Sequence, residues 1–200
     1  NTESFKSTFT EENGYKLIFD DAQQKQENQI KAIRSFIQQD VDYIVVAPVV
    51  ETGWEAVLQE AQEAGIPVIL SDRQMDVDES LYECWVGGNF IKEGETAGNW
   101  LADYLKAQGR DGEDINIVTL QGTIGASAQV GRTEGFGNIL KQHDNWKMLD
   151  MQTGEFTQAK GQEVMESFLK SYDDIDVVVA ENDNMAFGAI DAIKAAGKTC

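Results

Sequence analysis

Short apolar runs alternate along this chain with stretches of helical periodicity. In Gln24–Gln39, Ile30, Ile33 and Ile37 recur on one helix face, whereas Asp42–Ala47 is a short β-branched run. Similar patterns predict further strands at Tyr15–Asp20, Pro67–Leu70, Leu81–Val86, Ile115–Leu120, Met148–Gln152 and Val177–Ala180. They predict further helices at Thr52–Ala64, Glu93–Ala107, Ala126–Gln142, Gln158–Lys170 and Met185–Ala196. Alternation of this kind indicates an α/β fold with parallel sheets.

The strands and helices divide into two groups that share the same β-α-β plan. A crossover near Gly87–Asn89 separates the groups, and the polar segment Gln108–Asp114 is predicted to be a loop. We therefore predict two Rossmann-like lobes, one formed by residues 1–87 and the other by residues 88–200.

The charge balance of the chain narrows the classes of partner. There are 35 acidic residues against 16 Lys and Arg residues, which gives a net charge of −19. Such a chain repels nucleic-acid phosphates and anionic lipid surfaces, so we predict no nucleic-acid partner. No apolar run approaches the roughly 20 residues of a membrane span. The two cysteines, Cys84 and Cys200, fit neither a disulfide scaffold nor a zinc site, and whether they pair is open.

The most informative polar pair is Asp72–Arg73, which directly follows the apolar run Ile66–Leu70. Ligands of open parallel sheets bind beyond the carboxyl ends of the strands. Arg supplies a rigid fork of donors and Asp supplies acceptors, a combination that suits a neutral polyhydroxylated ligand. The alternative interpretation is a surface ion pair in a strand-to-loop turn.

Other predicted strand ends are also polar. Each residue there has an ordinary structural role as a turn residue or helix cap, and Asp183 is expected to cap the last helix. Together they offer the paired donors and acceptors that sugar hydroxyls need, and an aromatic ring that can cover a sugar face or pack in the core. The candidates besides Asp72 and Arg73 are Asp21, Asn89, Arg132, Phe156 and Asn182.

Enzyme signatures are missing from the sequence. The turn Gly122–Ser127 lacks the dinucleotide fingerprint, the P-loop lysine and the second glycine of a nucleophile elbow. The single histidine, His143, lies in a polar helix end and has no plausible serine partner. We therefore predict no enzyme activity, no cofactor and no metal site.

Several segments resemble the periplasmic sugar-binding proteins of bacterial ABC uptake systems, the type I class of ribose- and galactofuranose-binding proteins. They are residues 21–36, 47–54, 71–73, 120–122, 131–136 and 182–186, and the resemblance extends along essentially the whole chain. It implies a two-lobed type I periplasmic binding fold in which Asp72, Arg73, Arg132 and Asn182 hold a sugar. Asp21, Asn89 and Phe156 line up with cleft positions less closely.

The resemblance further implies a monomer in the periplasm or outside the cell, with a lipid anchor as an option. It would capture a galactofuranose-, galactose- or ribose-like monosaccharide in the interlobe cleft, close on it, and deliver it to an ABC permease. The chain is expected to be truncated at both ends, because it lacks the family's first strand and C-terminal portion. It also has Glu181 where members often have His or Gln. The alternatives are a sugar-sensing effector domain of a transcriptional regulator or sensor kinase, and an α/β enzyme.

Overall fold

The backbone forms two parallel three-stranded sheets. A computed structural model describes residues 2–199. The first sheet has the order β1–β2–β3, with strands Ile44–Val46, Val68–Ser71 and Cys84–Val86. The second sheet has the order β5–β4–β6, in which β4 is Ile115–Gln121, β5 is Trp146–Thr153 and β6 is Val177–Ala180. All neighbouring strands are parallel, so the predicted α/β fold with parallel sheets is confirmed.

All but the first of the helices in the described residues agree closely with the predicted periodic segments. They are α1 Thr2–Thr8, α2 Gln26–Gln38, α3 Glu55–Glu63, α4 Phe90–Ala107, α5 Ser127–Leu140, α6 Gln158–Ser171 and α7 Asp183–Ala195. Helix α4 begins earlier than predicted because the Asn89 side chain accepts a hydrogen bond from the Lys92 amide and caps it. Helix α7 is capped by Asn182 rather than by Asp183, so the prediction for Asp183 was wrong.

The predicted strand at Tyr15–Asp20 is wrong. This segment has no regular secondary structure, and its large apolar side chains are 38% to 52% exposed. Among the described residues, β1 pairs only with β2, so residues 15–20 form no hydrogen-bonded ladder with the free edge of β1. A β-strand requires a neighbouring strand for its hydrogen bonds, and an alternating sequence alone does not supply one.

Each sheet has its own hydrophobic core. The first core joins α2 and α3 to β1 and β2 around the fully buried Trp54 and Leu70. The second sheet has a core on each face, one with α4 and α5 and the other with α6 and α7. Helix α4 follows β3 in the chain but packs on the second sheet, and the lobe boundary at residues 87 and 88 stays a prediction.

The second sheet has a reversal of strand order at its centre. Strand β4 is flanked by β5 on one side and by β6 on the other. Such a switch point opens a crevice at the carboxyl end of the sheet, where ligands of α/β proteins bind. Here the crevice begins at Gln121 and Gly122, directly after β4. Within the described part of the chain, every helix is too short or too polar to cross a lipid bilayer.

Candidate functional site

Asp72 and Arg73 form a tight turn at the end of β2. Asp72 has a left-handed φ of 65°, which an aspartate tolerates better than most residues. Its amide donates to the Val86 carbonyl at 2.8 Å, and its carbonyl accepts from Trp85 Nε1 at 3.2 Å. These contacts with the end of β3 turn the chain so that Arg73 leaves the sheet at its carboxyl edge.

Arg73 connects the two sheets. Its Nη1 donates to the Val49 carbonyl at 3.1 Å, and its guanidinium lies 5.0 Å from the ring centroid of Phe156. Val49 follows β1 and Phe156 follows β5, so this side chain lies between the strand ends of both sheets. Burial lowers the pKa of Arg73, Asp72 raises it and the nearby Arg132 lowers it. Arg73 remains charged because arginine starts so far above neutrality.

Arg132 lies on α5, in the first two turns after the crevice of the second sheet. Its Nε donates to Glu93 Oε2 at 2.9 Å, and its Nη1 donates to the Glu181 carbonyl at 2.7 Å. The guanidinium also lies 5.1 Å from the ring centroid of Phe90. Helices α4 and α5 and the end of β6 therefore all hold this one side chain.

Asn182 holds the neighbouring aromatic residue as well as its own helix. Its Oδ1 accepts from the Met185 amide at 3.0 Å, and its Nδ2 donates to the Phe156 carbonyl at 3.1 Å. Phe156 has a φ of 60°, and its ring lies so close to Gly122 that a Cβ there would overlap it. We call the space between the strand ends that is lined by Arg73, Phe156, Arg132 and Asn182 the cleft.

The other two predicted residues have local contacts. Asp21 is exposed and accepts from the Gln23 amide at 2.9 Å, as in an ordinary Asx turn. Asn89 is exposed and caps α4. The structure thus brings Arg73, Phe156, Arg132 and Asn182 together through direct contacts and proximity, whereas turn and cap hydrogen bonds account for Asp21 and Asn89.

A buried carboxylate lies beside the cleft, at a position where the sequence differs from the family pattern but which was not among the candidate site residues. Glu181 is only 6% exposed and accepts from the Gly122 amide at 2.7 Å and from Thr133 Oγ1 at 2.5 Å. Burial raises the pKa of Glu181, and its contacts with Thr133, Gly122 and Arg132 oppose that rise. The rule that selected Asn182, a polar residue directly after a strand, applies equally to Glu181.

Two hydrogen bonds donated by main-chain amides join the loops of the first sheet to the start of α5. The Glu51 amide donates to the Gly125 carbonyl at 2.8 Å, and the Gln74 amide donates to Ser127 Oγ at 2.9 Å. Burial raises the pKa of Glu51, and the nearby Asp76 adds to this rise. The loops of the first sheet are therefore connected to the second sheet by these two hydrogen bonds as well as by the contact of Arg73 with Phe156.

The chemistry of this site is that of recognition by hydrogen bonds. Two guanidiniums, a carboxylate, an amide and an aromatic face are the groups that proteins use to bind hydroxyls and a ring. Among residues 2–199 there is no cluster of three or more His, Cys, Asp or Glu side chains suited to a metal ion.

Comparison with known proteins supplies a family. Residues 3–200 match the model of the periplasmic binding protein domain. The galactofuranose-binding protein YtfQ of Escherichia coli is 50% identical over 191 residues, which is 94% of this chain and 58% of YtfQ.

Two solved structures have the same fold. A Mycobacterium smegmatis protein in complex with β-D-fucofuranose is 51% identical with a TM-score of 0.94, covering 99% of this chain and 64% of that one. The binding component of an arabinose ABC transporter from Shewanella, bound to α- and β-L-arabinofuranose, is 49% identical with a TM-score of 0.90. That match covers 98% of this chain and 64% of the other. The chain thus spans less than two thirds of the length of these relatives, as the sequence led us to expect. The match over almost all of its residues shows that this chain belongs to the periplasmic binding protein domain family.

Proposed function

We propose that this chain belongs to a solute-binding receptor that captures a monosaccharide between two lobes, residues 1–87 and 88–200. The observation that carries the proposal is the proximity of Arg73, which follows β2 and lies over the face of Phe156, to Arg132 on α5 beside the second sheet. Two charged forks from opposite sides can bind the hydroxyls of one small sugar, and closure around it would form contacts to both at once.

The ligand we propose is a galactofuranose-, galactose- or ribose-like sugar, and the furanose form is favoured. Support comes from the relatives, which are named for galactofuranose or are bound to fucofuranose and arabinofuranose. Arg73 and Arg132 would donate to ring and hydroxyl oxygens, Asp72 would accept from hydroxyls, and Asn182 would donate with its remaining amide hydrogen. Phe156 would line the sugar face, and Asp21 and Asn89 would form the rim.

No bond is made or broken in this proposal. The receptor would act as a monomer in the periplasm or outside the cell, with or without a lipid anchor, and would deliver its sugar to an ABC permease. Support comes from the family, since relatives are named as binding proteins and one belongs to an ABC transporter.

The test is a thermal-shift and calorimetry screen of the purified protein against galactose, fucose, ribose, arabinose and xylose. A sugar at 100 times its dissociation constant should stabilise the protein by about 2.7 kcal/mol. Stabilisation by one or two sugars that are recovered unchanged is the expected result. Absence of a shift with every sugar would refute the proposed ligand class, and conversion of a sugar would refute a pure binding function.

A further inference from the structure

Glu181 is a buried carboxylate for which the proposed sugar contacts provide no role. Its two side-chain oxygens accept from different elements, Oε2 from the Gly122 amide after β4 and Oε1 from Thr133 on α5. Its main-chain oxygen accepts from Arg132 Nη1. One residue thus ties together the crevice turn, the middle of α5 and an arginine of the cleft.

The hydrogen-bond pattern around Thr133 requires the ionised form of Glu181. A threonine hydroxyl has one hydrogen to donate and two lone pairs that accept. Thr133 Oγ1 donates to Glu181, and it accepts from Gln121 Nε2 and Gln129 Nε2, each at 3.0 Å. A proton on Oε1 would therefore meet a hydroxyl with no free lone pair. A proton on Oε2 would face the Gly122 amide, which is itself a donor.

The same residue controls both arginines of the cleft. Arg132 donates to the main-chain oxygen of Glu181, and the Glu181 carboxylate accepts from Thr133, the residue that follows Arg132 on α5. Arg73 is held through intermediates, since Glu181 fixes the Gly122 turn, Gly122 contacts the Phe156 ring, and that ring lies under the Arg73 guanidinium. Displacement of the carboxylate would therefore move groups on both sides of the cleft.

We propose that Glu181 is a positioning residue, an ionised carboxylate that orients Arg132 and the Gly122–Phe156 contact for sugar binding. This inference rests on the proposed sugar-binding function. Loss of the negative charge leaves one of its two donors without an acceptor, so the arginines lose their fixed geometry.

The charged and polar groups that face Glu181 determine its pKa. A cavity of about 490 Å³ adjoins it, and the charged side chains of the described residues that line this cavity with it are Glu93 on α4, Arg132 on α5 and Asp183 at the start of α7. The strand-end side presents the neutral Gln121 and Thr153. Burial raises the pKa of Glu181 above the ordinary glutamate value, and its hydrogen bonds to Thr133 and Gly122 and the charge of Arg132 oppose that rise.

The main experiment is calorimetry of the parent and of Glu181→Gln with D-galactose and L-arabinose, from about pH 8 down to about pH 4.5, the ordinary glutamate range. For the parent, we expect sugar affinity to fall as the pH drops through the pKa of Glu181. For Glu181→Gln, we expect the dissociation constant at neutral pH to rise by about 5- to 100-fold, the cost of an unmatched buried donor. We also expect this pH step to disappear.

Two matched variants isolate Glu181 from other groups. Glu93→Gln removes a carboxylate that contacts the same arginine from its exposed side, and we expect the pH step to persist in this variant. Thr133→Val removes a hydrogen bond that lowers the pKa of Glu181, so we expect the step to move to higher pH. A step that disappears with Glu93→Gln, or that stays in place with Thr133→Val, would assign it to another group and overturn the proposal.

Failure of this inference is distinguishable from failure of the proposed function. If Arg132→Ala weakens binding while Glu181→Gln keeps the parent affinity and pH step, Glu181 is not a positioning residue and the receptor proposal stands. If the parent binds none of the five sugars of the thermal-shift screen, both proposals fail together. If Glu181→Gln does not fold, the pH dependence of sugar affinity in the parent still tests the inference. A dissociation constant that does not change across this pH range would overturn it.

Discussion

The two sheets hold their cleft arginines in different ways. Arg73 of the first sheet is fixed by a main-chain carbonyl and by an aromatic face from the opposite sheet. Arg132 on α5, beside the second sheet, is fixed by the Glu93 carboxylate and by the main-chain carbonyl of Glu181, a residue whose side chain belongs to a buried network. A group held by main chain depends on the position of its loop, whereas a group held by a network depends on each member. We expect the second sheet to be the more sensitive to conservative substitutions near the cleft.

The largest expected effect concerns the cores behind these arginines. Trp54 in the core of the first sheet and Phe168 in the α6–α7 core of the second are both fully buried, and replacement by alanine should reduce the free energy of unfolding by about 3–5 kcal/mol in either case. Trp54 Nε1 also donates to the Val50 carbonyl, next to the carbonyl that holds Arg73. Urea denaturation should give similar losses, and calorimetry of the folded fraction should show weaker sugar binding only for Trp54→Ala. Equal affinities would mean that the loop is held without Trp54.

The second prediction compares the arginines directly. Arg73→Ala and Arg132→Ala should each weaken sugar binding by about 1–3 kcal/mol, because hydroxyls or buried partners lose their donors. Lysine should replace Arg73 better than Arg132. It can donate to the Val49 carbonyl and lie over Phe156, but it cannot reproduce the two directed bonds that Nε and Nη1 of Arg132 make. Calorimetry of the lysine variants gives the ranking, and the reverse order would contradict the comparison.

The third prediction tests the contact between Gly122 and Phe156. A Cβ at Gly122 would overlap the ring, so Gly122→Ala should destabilise the protein by about 1–3 kcal/mol and displace the surface under Arg73. Gly137→Ala is the matched control, since a Cβ there meets no atom within 4 Å and its helix should gain about 0.5–1 kcal/mol. Thermal denaturation of both variants checks this, and a neutral Gly122→Ala would show that the ring moves freely.

The smallest expected effect is at the bridge between the first sheet and α5. Ser127→Ala removes the acceptor of the Gln74 amide, and should weaken sugar binding by about 0.5–1.5 kcal/mol if that bond forms when the cleft closes. Ser167→Ala on the exposed face of α6 is the control and should leave the dissociation constant unchanged. A loss of unfolding free energy without a change in affinity would place the bond in the open form as well.

The role of Glu181 can also be tested without a ligand, by measuring the free energy of unfolding as a function of pH. The pKa of Glu181 is raised in the folded state, so its contribution to stability is present below the unfolded value and is lost as the pH rises through the folded value. The difference in unfolding free energy between the parent and Glu181→Gln should therefore change with pH in that window. A constant difference would mean that the folded protein leaves the proton affinity of Glu181 unchanged. With a raised pKa, the contribution of Glu181 to stability is largest where it is protonated, whereas we expect sugar binding to be strongest where it is ionised.

Prediction from sequence worked where a local signal and the tertiary requirement coincide. The periodic segments became α2 to α7 because one face of each was apolar and a core was available. The polar ends of β2 and β6 were recognised because the carboxyl edge of a parallel sheet is a general binding position. The segment Tyr15–Asp20 failed because an apolar pattern indicates a strand only when another strand can pair with it.

The amino-acid sequence by itself determined the α/β class, the parallel pairing, the acidic surface and the polar residues at the strand ends, because all of these follow from local pattern and composition. Only the tertiary structure decided which of those residues share a cleft. Arg73 meets Phe156 from the other sheet, Asn182 is a helix cap that also holds Phe156, and Glu181 lies buried in a saturated network. Such contacts depend on hydrogen-bond geometry between residues far apart in the chain, and no local pattern encodes them.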